Sequence, residues 1–452
     1  MPSQANILHP EHLVEKDRMK KRSTLILIVG AGAAGLAAAR ELSNSGVDVK
    51  LIEARERLGG RIHTLRDASF PRPLEAGAEF IHGTPEETQE AIDALRLKTE
   101  EVPDRFWELQ GNQLVELDME GKWSGVAERL KQLGDHDLPF TEFLERHCSD
   151  LSSDERIGAQ GYVEGFHAVD AKRASSLWLR EADEEQGQGE SLRRIPEGQS
   201  ALLAHFLEGK GKKRIDIQYR RRVTQIRWQR QSVELDTVGP AGEPETFRAA
   251  AAILTLPLGV LQAAPGQPGA VEFVPPVAKK KSVWKQMRMG SVVKVSILFR
   301  RPIWEQLAPE LSFLHTPSGQ FVAWWTQKPA AIPLLTGWSG GPRAAALSKL
   351  PESDIYQAAL ATIAECFQMR PEAVAEEVER WHVFNWQVDP LTCGAYAYVP
   401  ADGLDLPAQL ASPVEDTLFF AGEATSRFRM GTVAGAISSG IRAAKEVLAA
   451  ID

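Results

Sequence analysis

Residues 23–64 read STLILIVGAGAAGLAAARELSNSGVDVKLIEARERLGGRIHT, and the rest of the chain is organised around them. Leu25 to Val29 is an unbroken apolar run, as a strand buried on both faces of a parallel sheet requires. Gly30-Ala31-Gly32-Ala33-Ala34-Gly35 follows and opens a helical segment, Leu36 to Leu42. A second strand, Val47 to Ile52, ends on Glu53, 21 residues past Gly32. Gly30 permits the tight turn, Gly32 lets backbone approach a pyrophosphate, and Gly35 allows close helix–strand packing. The helix start offers N–H groups and a positive dipole end to phosphates. Glu53 stands where a carboxylate accepts hydrogen bonds from a ribose. The stretch predicts a dinucleotide site and leaves NAD or FAD open.

The continuation Arg55, Arg57, Gly59, Gly60, Arg61 decides between them. A second glycine pair flanked by arginines resembles the extended FAD fingerprint of flavin amine oxidases. Three further stretches resemble that family: Leu74 to Gly83 (LEAGAEFIHG), Thr255 to Leu261 (TLPLGVL) and Phe419 to Glu423 (FAGE within FFAGE). The similarity runs from about Leu25 to Leu448, with polyamine oxidases and flavin-dependent histone demethylases as the nearest pattern.

The resemblance implies an α/β chain, with a Rossmann-type FAD-binding domain built from residues 24–83, 195–262 and 395–452. Residues 84–194 and 263–394 then form an inserted substrate-binding domain with a mixed sheet and helices. Residues 1–23 are expected to be a disordered leader, being polar with no apolar core to make a secretory signal. Dense charge and helical spacing at Leu130, Leu133, Phe140, Phe143 and Leu144 predict that 84–194 is a helical insertion.

Length and composition agree with a large globular protein: 452 residues, 43% hydrophobic, 25% charged. The net charge of −9 argues against nucleic-acid binding and suits a cationic substrate. Cys148, Cys366 and Cys393 are far apart, so neither a disulfide framework nor a metal site is expected. No apolar run reaches the roughly 20 residues that span a bilayer. The expectation is a cytoplasmic monomer or homodimer, without membrane or nucleic-acid partners.

The resemblance also assigns residues. FAD falls to Gly30, Gly32, Ala34, Gly35, Glu53, Ala54, Arg55, Gly60, Arg61, Gly77, Ala78, Glu79, Val223, Trp386, Gly422, Glu423, Thr432 and Val433. Lys294, in MGSVVKV, matches the family lysine that holds a water against the flavin. A lysine in an apolar strand needs a partner, unless the strand is an edge with the lysine in solvent. Tyr396 matches one side of an aromatic cage for the amine, where a ring face attracts a cation. Trp386 matches the wall beside it, His82 a histidine near the substrate channel, and Thr432 the second cage position. Glu79 is a further candidate for the amine. Ala395 stands where monoamine oxidases carry the flavin-linked cysteine, so FAD should be non-covalent. Ala434 departs from the histidine of many polyamine oxidases.

The implied activity is oxidative deamination of a primary or secondary, polyamine-like amine, with O2 reduced to H2O2. An L-amino-acid oxidase or an indole-amine oxidase or monooxygenase is the alternative. It would need a carboxylate-binding arginine, for which Arg343, Arg427 and Arg429 are candidates. A flavin-bound scaffold without catalysis is the third.

Overall fold

The computed structural model describes residues 24–111, 113–117, 119–186 and 191–451. The expected leader lies outside the described residues, as do residues 187–190 of the acidic stretch before Leu192.

Five parallel strands form the first sheet, in the order Ile215–Gln218, Asp48–Ile52, Leu25–Val29, Ala251–Leu254 and Leu418–Phe420. Alternate side chains of the first strand enter different cores, which is why its apolar run is unbroken. Ile26 and Ile28 pack with the helix Ala33–Asn44, whereas Leu27 and Val29 pack with Val223, Ile226 and Leu235 of a second sheet. That sheet has the order Pro244–Ala249, Ser232–Val238, Arg222–Gln229 and Glu272–Val274. The last helix, Val433–Ile451, comes so close to the first that a Cβ on Gly440 would stand 2.1 Å from the Ala34 carbonyl oxygen.

A seven-stranded sheet carries the other half of the fold. Its order is Val378–Asn385, Val292–Phe299, Leu334–Gly340, Ala323–Trp325, Phe313–His315, Phe106–Gln110 and Gln113–Leu117. All eight residues of Val292–Phe299 are buried, and a strand lies on each side of it. Lys294 is therefore interior, and the edge-strand reading does not hold.

Two elements differ from the sequence reading. The insertion 84–194 is not wholly helical: the hairpin Phe106–Gln110/Gln113–Leu117 completes the large sheet. Only Glu108 and Leu109 of that hairpin are buried, so its sequence lacks an apolar alternation. The apolar run from Ala249 to Leu254, which reads in sequence as one buried strand leading into TLPLGVL, divides between two sheets, Ala249 ending one strand and Ala251 beginning another.

Candidate active site

The fingerprint turn is built as its glycines demand. Gly30 has φ +100°, and a Cβ there would meet Thr255 Oγ1 at 2.6 Å. A Cβ on Gly35 would stand 1.9 Å from the Gly30 carbonyl oxygen. The helix Ala33–Asn44 starts behind an extended Gly32 with no side-chain cap, leaving its first N–H groups facing the space a pyrophosphate would fill. The residues present thus fit a dinucleotide.

Glu53 braces the same turn. One carboxylate oxygen accepts from the Ala31 N–H at 2.8 Å and the other from the Arg55 N–H at 2.7 Å. Burial raises its pKa, an effect these bonds and the Arg55 and Arg57 charges oppose. The arginines do not form a solvated loop. Arg55 pairs with Asp389 at 2.7 Å, and Arg61 donates to Ala395 O at 2.6 Å and to Glu423 at 2.8 Å. Glu423 also accepts from the Gly431 and Ala397 N–H groups, so it ties three segments together. Gly77 packs on this frame, since a Cβ would lie 1.8 Å from Arg61 O.

A continuous cavity of about 1080 Å³ runs from this turn into the large sheet. It is lined by every sequence-assigned residue except Gly35, which serves packing alone. Lys294 reaches it from the sheet, only 1% exposed, and donates to Glu79 at 2.6 Å and to the Glu75 carbonyl at 2.6 Å. Glu79 is also held by Arg194 at 3.0 Å and Trp325 at 2.9 Å, so both its oxygens are engaged within the protein. Burial would raise the Glu79 pKa, and the Lys294 and Arg194 charges bring it below the ordinary value.

Tyr396 and Trp386 wall the same cavity. The Tyr396 phenol donates to Phe166 O at 2.6 Å, and Trp386 donates to Ala76 O at 2.8 Å. Burial, with Glu423 adding to it, raises the Tyr396 pKa. Thr432 spends its hydroxyl on starting the last helix, accepting from Gly435 N–H at 2.9 Å and donating to Arg429 O at 2.8 Å. His82 sits against Phe166, ring centroids 5.8 Å apart, and burial pushes its pKa down to about 4. Tyr398, one residue pair on, is in the core and does not line the cavity.

The three candidate arginines separate. Arg427 forms a two-point pair with Glu181, and Arg429 bonds Glu185 at 2.8 Å and Glu87 at 3.3 Å; neither lines the cavity. Arg343 does. The helix Ser153–Phe166 lies in the stretch read as a helical insertion and supplies Ile157, Gly161, Tyr162 and Phe166; sequence reasoning singled out none of these residues, nor Arg194. Ile157 is 62% exposed and Phe166 40%, an unusual exposure for large apolar side chains. A capping box of Ser152 and Glu155 marks the start of that helix, but only its position in the folded chain brings it to the site.

Known proteins resemble the chain over most of its length. The chain is 28% identical to polyamine oxidase 4 of Oryza sativa subsp. japonica, over 93% of this chain and 88% of that one. It is 26% identical to human lysine-specific histone demethylase 2, over 97% of this chain, and spans only 55% of that protein's length. Among solved structures, putrescine oxidase bound to putrescine superposes with a TM-score of 0.79 at 20% identity, covering 94% of this chain and 99% of that one. Cyclohexylamine oxidase from Brevibacterium oxydans IH-35A gives 0.78 at 19%, covering 95% and 99%. The family model "Flavin containing amine oxidoreductase" matches residues 33–448. This chain belongs to that family, as a flavin-dependent amine oxidoreductase whose cofactor is FAD.

Proposed function

We propose that the protein oxidises a cationic, polyamine-like primary or secondary amine with O2. The observation that carries the reading is the single cavity joining the fingerprint turn to Lys294 and Tyr396. FAD, held along the fingerprint turn by Gly30, Gly32, Arg55, Arg61 and Glu423, would supply the redox chemistry that links amine oxidation to O2. The balance is amine, O2 and water giving an aldehyde or ketone, a shorter amine or ammonia, and H2O2.

The chain's own residues bind and orient. Gly30, Gly32, Ala34, Gly60, Gly77, Ala78, Ala54 and Gly422 offer close backbone approach along the cavity, while Glu53, Arg55, Arg61 and Glu423 hold that backbone in place. Val223 and Val433 add apolar walls, and Trp386 a flat one. The Tyr396 face attracts the amine as a cation. Desolvation in the cavity then favours the neutral amine, whose lone pair assists C–H cleavage. His82, neutral in the neutral pH range, does not repel the incoming charge. Asp104, Glu108, Glu164 and Asp183 also line the cavity, with Arg343 facing Glu164. Ala395 has no nucleophile to bond the flavin, which supports non-covalent FAD. Among the described residues no helix is long and apolar enough to cross a membrane.

An amino-acid oxidase is the second reading, because Arg343 lines the cavity. The test is product analysis with spermine, spermidine, putrescine, N-acetylated polyamines, tryptamine, benzylamine and L-amino acids. Peroxide and aldehyde from polyamines support the proposal; turnover of amino acids alone, abolished by R343A, replaces it with the second reading.

A further inference from the structure

We infer that Glu75 sets the charge behind the cavity wall, and that the cavity binds an amine cation tightly only once this carboxyl has released its proton. The inference rests on the reading above, since it takes the cavity to be the site of a cationic amine.

Six charged side chains meet behind that wall. Lys294 and Glu79 line the main cavity, and Arg194, Arg72, Glu100 and Glu75 stand behind them. Lys294 and Arg194 both hold Glu79, and Arg72 pairs with Glu100 at 3.2 Å. The Glu75 backbone carbonyl accepts from Lys294 at 2.6 Å, and Ala76, the next residue, lines the main cavity.

The Glu75 carboxylate differs from that of Glu79 in its partners. Its Oε1 accepts from the Gln199 N–H at 2.6 Å and from the hydroxyl of its cross-strand partner Thr64 at 2.9 Å. Oε2 has only a share of that hydroxyl, at 3.1 Å. Among the described residues no lysine or arginine pairs with this carboxylate, whereas Glu79 has one of each. Of the two, Glu75 is therefore the carboxyl that takes a proton.

A second cavity of about 20 Å³, room for one or two waters, gives the proton a way in. Arg72, Glu75, Arg194, Ser296, Gln327 and Thr336 line it, and Glu79 lines both cavities. Ser296 and Thr336 are cross-strand partners, and Ser296 shares a sheet face with Lys294 two residues before it.

With Glu75 protonated, three cations stand against two carboxylates and the set is positive. With Glu75 ionised the set is neutral, and a cation on the other side of the wall is no longer repelled. Burial pushes the Glu75 pKa up to about 7, with the Glu79 charge adding to it and the Gln199, Thr64 and Lys294 interactions opposing it. His63, whose carbonyl accepts from the Ala76 N–H, is held down to about 4, chiefly by burial, and stays neutral there. Arg66 and Glu197 lie beside this strand but are exposed, so solvent and salt screen them. Linkage is reciprocal: a cation bound in the cavity favours the ionised carboxyl, so binding releases protons.

The experiment is isothermal titration calorimetry of hexyltrimethylammonium into the FAD-loaded protein at about pH 6, 7 and 8, either side of the expected titration. The charge of this probe does not titrate, and its quaternary nitrogen has no lone pair to assist oxidation. In the wild type Kd should fall by about fivefold or more from the lowest to the highest pH, as one charge roughly 10–15 Å away gives at an effective dielectric of ~20. Near neutrality, heats in two buffers of different ionisation enthalpy should show part of a proton released on binding. E75Q should bind weakly at every pH and release none. T64V removes a hydroxyl that favours the ionised form, so the change in Kd should move to higher pH. A merely structural role for Glu75 leaves the pH dependence in place.

An E75Q protein that keeps the pH dependence and the proton release overturns the inference, as does a wild-type Kd that is the same at every pH. If E75Q loses FAD, T64V decides, and an unmoved transition overturns it. A probe that binds at no pH to protein still holding FAD overturns the cation reading of the cavity, and this inference with it.

Discussion

A Cβ built on Gly431 would lie 2.9 Å from Cδ2 of Tyr396, so the ring packs directly on a residue that has room for no side chain. Gly431 also has φ +77°, and the phenol on the far edge of the ring is tied to Phe166 O. The ring is thus held on one side and at its tip while Tyr396 lines the cavity.

G431A should displace that ring and strain the backbone, at about 1–3 kcal/mol for a non-glycine residue in this region. The expected outcome is a raised KM for the amine. Y396F keeps the face and should change KM little, whereas Y396A should lose about 0.5–2 kcal/mol of cation binding. Steady-state kinetics on the three variants checks this; a Y396A enzyme with unchanged KM would contradict it.

G35A should yield protein without flavin. The added methyl meets the Gly30 carbonyl at 1.9 Å and forces apart the turn that receives the pyrophosphate. G158A is the control: that position is helical and open, and alanine there should stabilise by about 0.5–1 kcal/mol. The ratio of flavin to protein absorbance after purification, with Tm, separates the two.

Acid precipitation of the holoprotein should leave all FAD in the supernatant, because Ala395 offers nothing to bond it and Cys393 does not line the cavity. A yellow pellet would show a covalent link.

Stability should fall as the pH drops from about 6.5 toward 4. His63, His82 and His167 are each held down to about 4, chiefly by burial, with Arg57 and Arg55 adding to it at His63 and His82 at His167. In that window the unfolded chain binds protons that the folded one refuses, at up to about 1.4 kcal/mol per pH unit for buried His82 and His167 and less for half-buried, solvent-screened His63. Glu75, pushed up to about 7 by burial, acts in the opposite direction: it stabilises the fold at low pH and loses this as pH rises. Glu53 and Glu164, also raised by burial, act as Glu75 does, and the three histidines, which titrate across the whole window, set the net direction. Tm at fixed saturating FAD should be lower at pH 5 than at 6.5, with a shallower drop in H82Q; equal drops would contradict the assignment.

Much of this was legible in the chain because it is local. The fingerprint turn, its helix and the strand around Lys294 announce themselves by glycine spacing and apolar runs. The partner that a buried Lys294 demanded could be foreseen, but not that it was Glu79, which lies 215 residues away. Arg194 was missed for the same reason, since its role exists only once three separate segments meet. Thr432 reads as a cage position in sequence, while its hydroxyl is committed to the helix that follows. The helix Ser153–Phe166 opens on a capping box that marks its start but not its place at the cavity, which comes from packing on distant strands, as in the Trp338 indole donating to Gly165 O at 2.8 Å.

The central claim is that an amine entering past Tyr396 reaches the cofactor held by the fingerprint turn. Anaerobic addition of spermidine to the FAD-loaded protein, followed near ~450 nm, tests it most directly. The account predicts bleaching at a rate that rises with amine concentration to a plateau and is lowered in Y396A. Flavin that stays oxidised with every amine, or that bleaches equally fast in Y396A, would contradict it.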